Sequence, residues 1–355
     1  MKAQLACCMA LLSVSTIAAA KDYPTVEFDG DIKLDYDYFE PNFLEDGLES
    51  EDAIYLRRLR LKLSSKITKD WSAVLKVDTH DGIDIRDAYI KYDAWDWANI
   101  TIGKQKEPFG LERLMSTKSL PFIERSMVTS AFSPNRSLGV KLSGDEGAFN
   151  WQLGYFEDDD AAKGSAITGR LAWGLTKNKN LIHVGASFSQ RNLDGLEYRI
   201  NERLEVNSAD SLIEGAFIDA TEASLRGIEF IGQYEGFVAT AEWQDANYST
   251  LDGHNYDYSG GYYQLSYLFS GNNRKYKEGI LAKVKAKNDW ELALRLSELS
   301  LEKEQSEAQS LSLGVNYYLN KNTRFSANYI RAEYKSEGSN EGAGNALALR
   351  VFYRF

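Results

Sequence analysis

The residues with the clearest chemical potential in this chain are basic, and they fall into two groups. Arg58, Arg60 and Lys62 recur at every second position. On an extended strand such residues share one face, with neighbouring charges roughly 6.5–7 Å apart. The second group lies in the segment Gly103–Ser126, G-K-Q-K-E-P-F-G-L-E-R-L-M-S-T-K-S-L-P-F-I-E-R-S, which supplies Lys106, Arg113, Ser116, Thr117, Lys118 and Arg125. A guanidinium offers planar, paired donors that match oxyanions, and rings of Arg and Lys select anions in pores. The chemistry on offer is therefore reversible binding of a small anion. A plainer reading competes with it: the strand charges only solvate a polar face, beside Asp78, Asp87, Glu229, Glu242 and Glu291.

Catalytic patterns are not expected. The sequence has no G-x-S-x-G, H-E-x-x-H or P-loop, and His80, His183 and His254 lie far apart along it. Both cysteines, Cys7 and Cys8, fall within the first twenty residues, so the processed chain has no thiolate nucleophile or metal ligand. No enzyme activity, metal or cofactor is anticipated. The net charge of -11 argues against a nucleic-acid partner.

The elements that must position these charges begin after a leader. Lys2 is followed by a mostly apolar run ending in Ala18-Ala19-Ala20, the pattern of a secretory signal peptide over 1–20. From residue 21 to 355 no linker or composition shift divides the chain, and residues 135–355 contain no proline, as a continuous sheet requires. Alternation of period two is the recurring signal. Leu347, Leu349, Val351, Tyr353 and Phe355 oppose Ala348, Arg350, Phe352 and Arg354, and the aromatic end fits an interfacial girdle. Lys76, Lys91, Lys141, Arg170, Arg295, Arg350 and Arg354 occupy the polar faces of such segments.

The pattern predicts strands near 25–38, 53–66, 70–79, 84–93, 97–104, 137–144, 148–157, 165–176, 180–191, 225–234, 236–247, 260–270, 288–299, 308–319, 323–334 and 345–355. Short turns alternate with long polar connections, notably 105–136 and 192–224, although 271–287 is long where a short turn is expected. This is the layout of an all-β, transmembrane antiparallel β-barrel of sixteen strands, one domain over 21–355, wide enough to leave an aqueous channel.

At Gly103–Arg125 the chain resembles the phosphate- and polyphosphate-selective porins, porins O and P, through Pro108-Phe109-Gly110-Leu111-Glu112, Ser116-Thr117-Lys118 and Glu124-Arg125. Tyr55–Lys62, Asp87–Tyr92, Gly261–Lys277 and Leu313–Tyr318 extend the resemblance over the whole mature chain. It implies a homotrimer of barrels in the Gram-negative outer membrane, among lipid and lipopolysaccharide, for passive diffusion of small anions such as phosphate. It also implies that the third long connection, 105–136, folds inward as the constriction. By position Arg113 matches a basic eyelet residue, Ser116 and Thr117 a hydroxyl pair, and Arg125 an eyelet arginine. Arg57, Arg58 and Arg60 fall where the family places pore-lining arginines. One departure stands out. The stretch corresponding to the family's arginine ladder, 197–207, keeps only Arg199 and Arg203 beside Glu197, Glu202 and Glu205. A general or weakly selective pore for small or acidic organic solutes is the alternative.

Overall fold

The computed structural model describes residues 23–43, 49–80, 82–157, 164–336 and 340–355. The expected signal peptide lies outside them. Sixteen strands close into one antiparallel barrel, each hydrogen-bonded to its neighbours in sequence. They are β1 (Thr25–Phe39), β2 (Glu51–Lys66), β3 (Trp71–Asp78), β4 (Asp84–Tyr92), β5 (Asn99–Lys106), β6 (Arg136–Glu146), β7 (Phe149–Glu157) and β8 (Ser165–Lys177). The wall continues with β9 (Asn180–Tyr198), β10 (Ile218–Tyr234), β11 (Phe237–Thr250), β12 (Asn255–Leu268), β13 (Asp289–Leu301), β14 (Ser306–Tyr318), β15 (Thr323–Ser336) and β16 (Asn340–Arg354). β1 pairs with β16 from Asp31↔Arg354 to Phe39↔Ala346, which leaves no open edge.

Alternation builds this wall. Leu292, Leu294 and Leu296 are exposed on β13 while Glu291, Ala293 and Arg295 between them are buried. The outward face is thus apolar and the inward face polar, the reverse of a soluble sheet, because lipid rather than protein covers the outside. Trp71, Tyr92, Trp95, Trp97 and Trp151 form a run of neighbouring rings with centroids 4.9–6.2 Å apart at the short-turn end. Such a belt suits the membrane–water boundary. Two of the tight turns, Asn178-Lys179 and Glu235-Gly236, have positive φ at both residues, the backbone that matches strand twist in two-residue hairpins.

Two boundaries differ most from the sequence reading. β9 runs on to Tyr198 and β10 starts at Ile218, so the long connection is 199–217 rather than 192–224. Asp194 and Gly195, both at positive φ, look like a turn in sequence but form a bulge: Asn192 faces Glu222 and Leu196 faces Ala220, so the ladder continues past them. The 271–287 segment is a connection, 269–288, containing a small hairpin of Tyr276–Lys277 and Ile280–Leu281.

Gly103 opens the basic segment and needs its lack of a side chain. Its φ is +126°, and a Cβ there would stand 2.2 Å from the Ala88 carbonyl oxygen on the paired strand. Gly103→Ala is expected to weaken β4–β5 pairing by about 1–3 kcal/mol from backbone strain, with the clash added. The variant should lose its compact gel mobility in detergent at a lower temperature than the parent, and equal temperatures would reject the account.

Candidate functional site

The polar inner face does not surround an empty cylinder. Residues 107–135, with two short helices, α1 (Leu111–Leu114) and α2 (Met127–Ala131), bond to inward-facing side chains all round the wall. Gly110 N donates to Ser187 Oγ on β9 at 3.3 Å, and Leu111 and Glu112 N donate to Glu242 on β11 at 3.0 and 3.1 Å. Ile123 N donates to Asn328 Oδ1 on β15 at 2.7 Å, and Arg350 on β16 donates to the Ile123 carbonyl at 2.6 Å. Phe109, Met127, Val128 and Phe132 then pack with Phe39, Leu204, Ile213, Tyr258 and Leu301 in one buried cluster. Each such apolar side chain withdrawn from water contributes about 1.5–3 kcal/mol, so the segment is held by packing as well as by polar anchors.

The inward arginines on this side are consumed as anchors. Arg170 is paired with Glu229, and Arg350 holds both Asp35 and Glu124. Arg295, 1% exposed, meets Glu205 from 199–217 and Glu112 from 107–135, and stacks 4.4 Å over Phe122. Buried ions need partners of this kind, because an isolated charge in such surroundings costs several kcal/mol.

The opposite side, β2 to β7, keeps a water-accessible cavity. Ten cations line it, Arg58, Arg60, Lys76, Arg86, Lys91, Lys106, Arg113, Arg125, Arg136 and Lys141, against three carboxylates, Asp87, Asp145 and Glu278. A second cavity lies toward the 79–83 connection and is lined by Arg57, His80, Asp84, Glu124 and Ser130, among others. The two cavities share four residues: Arg58, Arg86, Arg113 and Arg125. All four are arginines, and Asp78 on the wall of the second cavity lies 3.7 Å from Arg58 Nε and 3.8 Å from Arg86 Nε.

Two β-bulges help to make it. Lys33 pairs with Arg58 and Leu34 with Leu56, so Arg57 is an extra residue on β2 and turns inward beside Arg58. Lys76 pairs with Asp87 and Val77 with Ile85, so Arg86 is extra on β4 and turns inward beside Asp87. Strict alternation would have aimed both arginines at lipid.

The hydroxyl pair sits at the same place. Thr117 Oγ1 accepts from Lys33 Nζ and from Arg58 Nη1, each at 3.0 Å, which leaves its own proton to donate elsewhere. Ser116 Oγ accepts from Lys118 N at 3.3 Å. Arg113 bonds the Thr129 carbonyl through Nη2, and its buried Nε has no hydrogen-bond partner among the described residues. Arg125 donates to the carbonyls of Glu112 and Met115 at 3.3 and 3.1 Å. Lys106 Nζ caps the same turn at the Arg113, Leu114 and Met115 carbonyls. Burial, and then the charge of Arg125, push the Arg113 guanidinium down to about 9, still cationic at neutral pH. Burial opposes ionisation of Glu124, yet Arg57 and then Arg350 hold its carboxyl well below the usual range.

Of the residues singled out from sequence, Arg58, Arg60, Arg113, Ser116, Thr117 and Arg125 come together on the first cavity, and Arg57 reaches the second one. Lys62 lines neither. Arg199 and Arg203 also stand apart: Arg199 pairs with Glu214 and lies over Phe217, and Arg203 caps the Asn207 carbonyl. Sequence reasoning missed Lys33, Arg86 and Arg136. Lys33 was visible as the one cation on an alternating face of Asp29, Asp31, Asp35 and Asp37. Arg86 had no signal, because a bulge decides its direction.

A family model described as "Phosphate-selective porin O and P" matches residues 26–355. The chain belongs to this family. It is an outer-membrane porin. The chain is 24% identical to Porin O of Pseudomonas aeruginosa, over 92% of this chain and 87% of that one. Among solved structures, the barrel resembles an anion-selective porin from Comamonas acidovorans (TM-score 0.66, 12% identity, 94% of this chain and 100% of that one). It also resembles a loop-deletion mutant of OmpT, an outer-membrane protein of Vibrio cholerae (TM-score 0.66, 14% identity, 94% and 100%).

Proposed function

We propose that this porin passes small anions, phosphate among them, through a constriction made by residues 107–135 and the facing strands β2 and β4. One observation carries the reading: the two cavities meet at Arg58, Arg86, Arg113 and Arg125, with no carboxylate shared between them. A cationic neck within low-dielectric walls concentrates anions and repels cations. The Thr117 hydroxyl offers a donor to an oxyanion there, Ser116 lies beside it, and the Arg113 guanidinium on the same wall supplies charge. Binding stays transient because several weak contacts replace part of the hydration shell without enclosing the ion. The description of the matched family as phosphate-selective, and of the similarly folded Comamonas porin as anion-selective, agrees with this direction. A leader over 1–20, a homotrimer and lipopolysaccharide around the wall complete the proposed setting.

The degree of selectivity is modest in this reading. Arg199 and Arg203 are committed within 199–217, so no ladder of cations leads a multivalent anion to the neck. The purified protein in a planar bilayer under a KCl gradient is expected to reverse on the chloride side, with phosphate reducing chloride current. Reversal on the potassium side rejects the anion reading. Chloride current indifferent to phosphate rejects a phosphate site and leaves a general pore.

A further inference from the structure

The connection 269–288 joins β12 to β13 at the end where every other described turn is short. It enters the barrel. Arg274 N donates to Gln233 Oε1 at 2.8 Å, and the Arg274 guanidinium donates to the Ser119 carbonyl at 2.7 Å and pairs with Glu291. The Tyr276 hydroxyl meets His183 Nδ1 at 2.7 Å on the inner face of β9. Beyond them Glu278 and Gly279 form the tip of a two-residue turn, with φ of +53° and +72°. Arg170 Nη2 donates to the Gly279 carbonyl at 2.7 Å, and a Cβ on Gly279 would stand 2.7 Å from Arg170 Nη1. The tip is therefore seated on the wall from below and cannot swing freely.

What this seating presents is a carboxylate. Glu278 lines the cationic cavity together with Lys91 and Lys141. Its side chain is half exposed and 2.9 Å from Lys277 Nζ. Burial works against the charge, but the Lys277 hydrogen bond, the Lys277 charge and then Lys91 and Lys141 hold the carboxyl below the ordinary glutamate range. We infer that Glu278 is a tethered counter-anion that competes with permeating anions for Lys91 and Lys141, and so sets how weakly this porin holds its solute on the short-turn side of the neck. A fixed carboxylate on the same cavity wall as these ammonium groups raises the concentration of free anion needed to occupy them, and speeds exit by drawing them back as the solute leaves. Conduction needs such weak, multi-site binding. The inference rests on the anion reading proposed above and goes beyond it by assigning a residue that limits affinity.

The test is phosphate block of chloride current through single channels, with phosphate added on each side in turn. Glu278→Gln should lower the half-blocking phosphate concentration about two- to fivefold, the effect of removing one partly screened charge. Glu278→Asn, which suits a positive φ, should do the same and guards against a misfolded turn. In a Lys91→Gln plus Lys141→Gln background, removing the carboxylate should change the half-block concentration by less than about half as much. If the parent reverses on the potassium side, the anion reading itself fails. If the parent prefers anions and both Glu278 variants block like it, this inference alone is overturned. An equal shift with and without the two lysines overturns it too, because Glu278 then acts only through the general field.

Discussion

Replacing Arg58 and Arg113 together by glutamine is expected to remove most of the discrimination between chloride and potassium. The two arrive at the neck from different elements, Arg58 from β2 and Arg113 from α1, and both border the two cavities. A unit charge 4 Å from an ion is worth about 4 kcal/mol at an effective dielectric of 20, and salt in the passage reduces that. A loss of about 1.4 kcal/mol, tenfold in the permeability ratio, is a restrained expectation for removing two charges. The reversal potential under a salt gradient should move close to zero. Arg113→Lys keeps the charge and should keep the preference, which separates electrostatics from loop damage. A double variant that reverses where the parent does would show that the neck lies elsewhere.

The second large effect is on the segments proposed to form the constriction. Arg295 holds Glu205 and Glu112 and donates to the Glu124 carbonyl at 3.2 Å, so one guanidinium joins both inward segments to β13. Arg295→Met fills most of the volume but leaves two buried carboxylates without their cation. Breaking a buried pair from one side costs about 3–5 kcal/mol. The barrel ladder does not depend on this side chain, so the loss should appear as release of 107–135 and 199–217. Unit conductance should rise and the anion preference fall, and protease should cut within 199–217 of the otherwise folded barrel. An unchanged conductance together with an uncut chain would show that packing alone retains the segments.

Much of the fold was legible in the sequence. All sixteen strands fall where the alternation places them, because each side chain of the wall must choose between lipid and water, and that choice is written residue by residue. Boundaries shifted where a turn-like dipeptide, Asp194-Gly195, was absorbed as a bulge inside a long ladder. Three of the four arginines common to both cavities were also singled out from sequence: Arg58 from period two, and Arg113 and Arg125, with Ser116 and Thr117, from a connection too long and too charged to be a turn. Arg86 was not. Lys62 shares the face of Arg58 and Arg60 yet lines neither cavity, since facing inward does not say at which height or on which side the water lies.

The sequence by itself determined the closed wall, its two faces and the surplus of cations on one of them, because these depend on local pattern and the solvent each face meets. Tertiary structure decided which cations border the cavities and which are buried in pairs. Arg170, Arg295 and Arg350 are spent on carboxylates brought from distant parts of the chain, and two one-residue bulges bring Arg57 and Arg86 inward against the alternation. Pairing across hundreds of residues and the register of a ladder are set by closure of the barrel around its inserted segments, and neither leaves a mark on any short stretch of sequence.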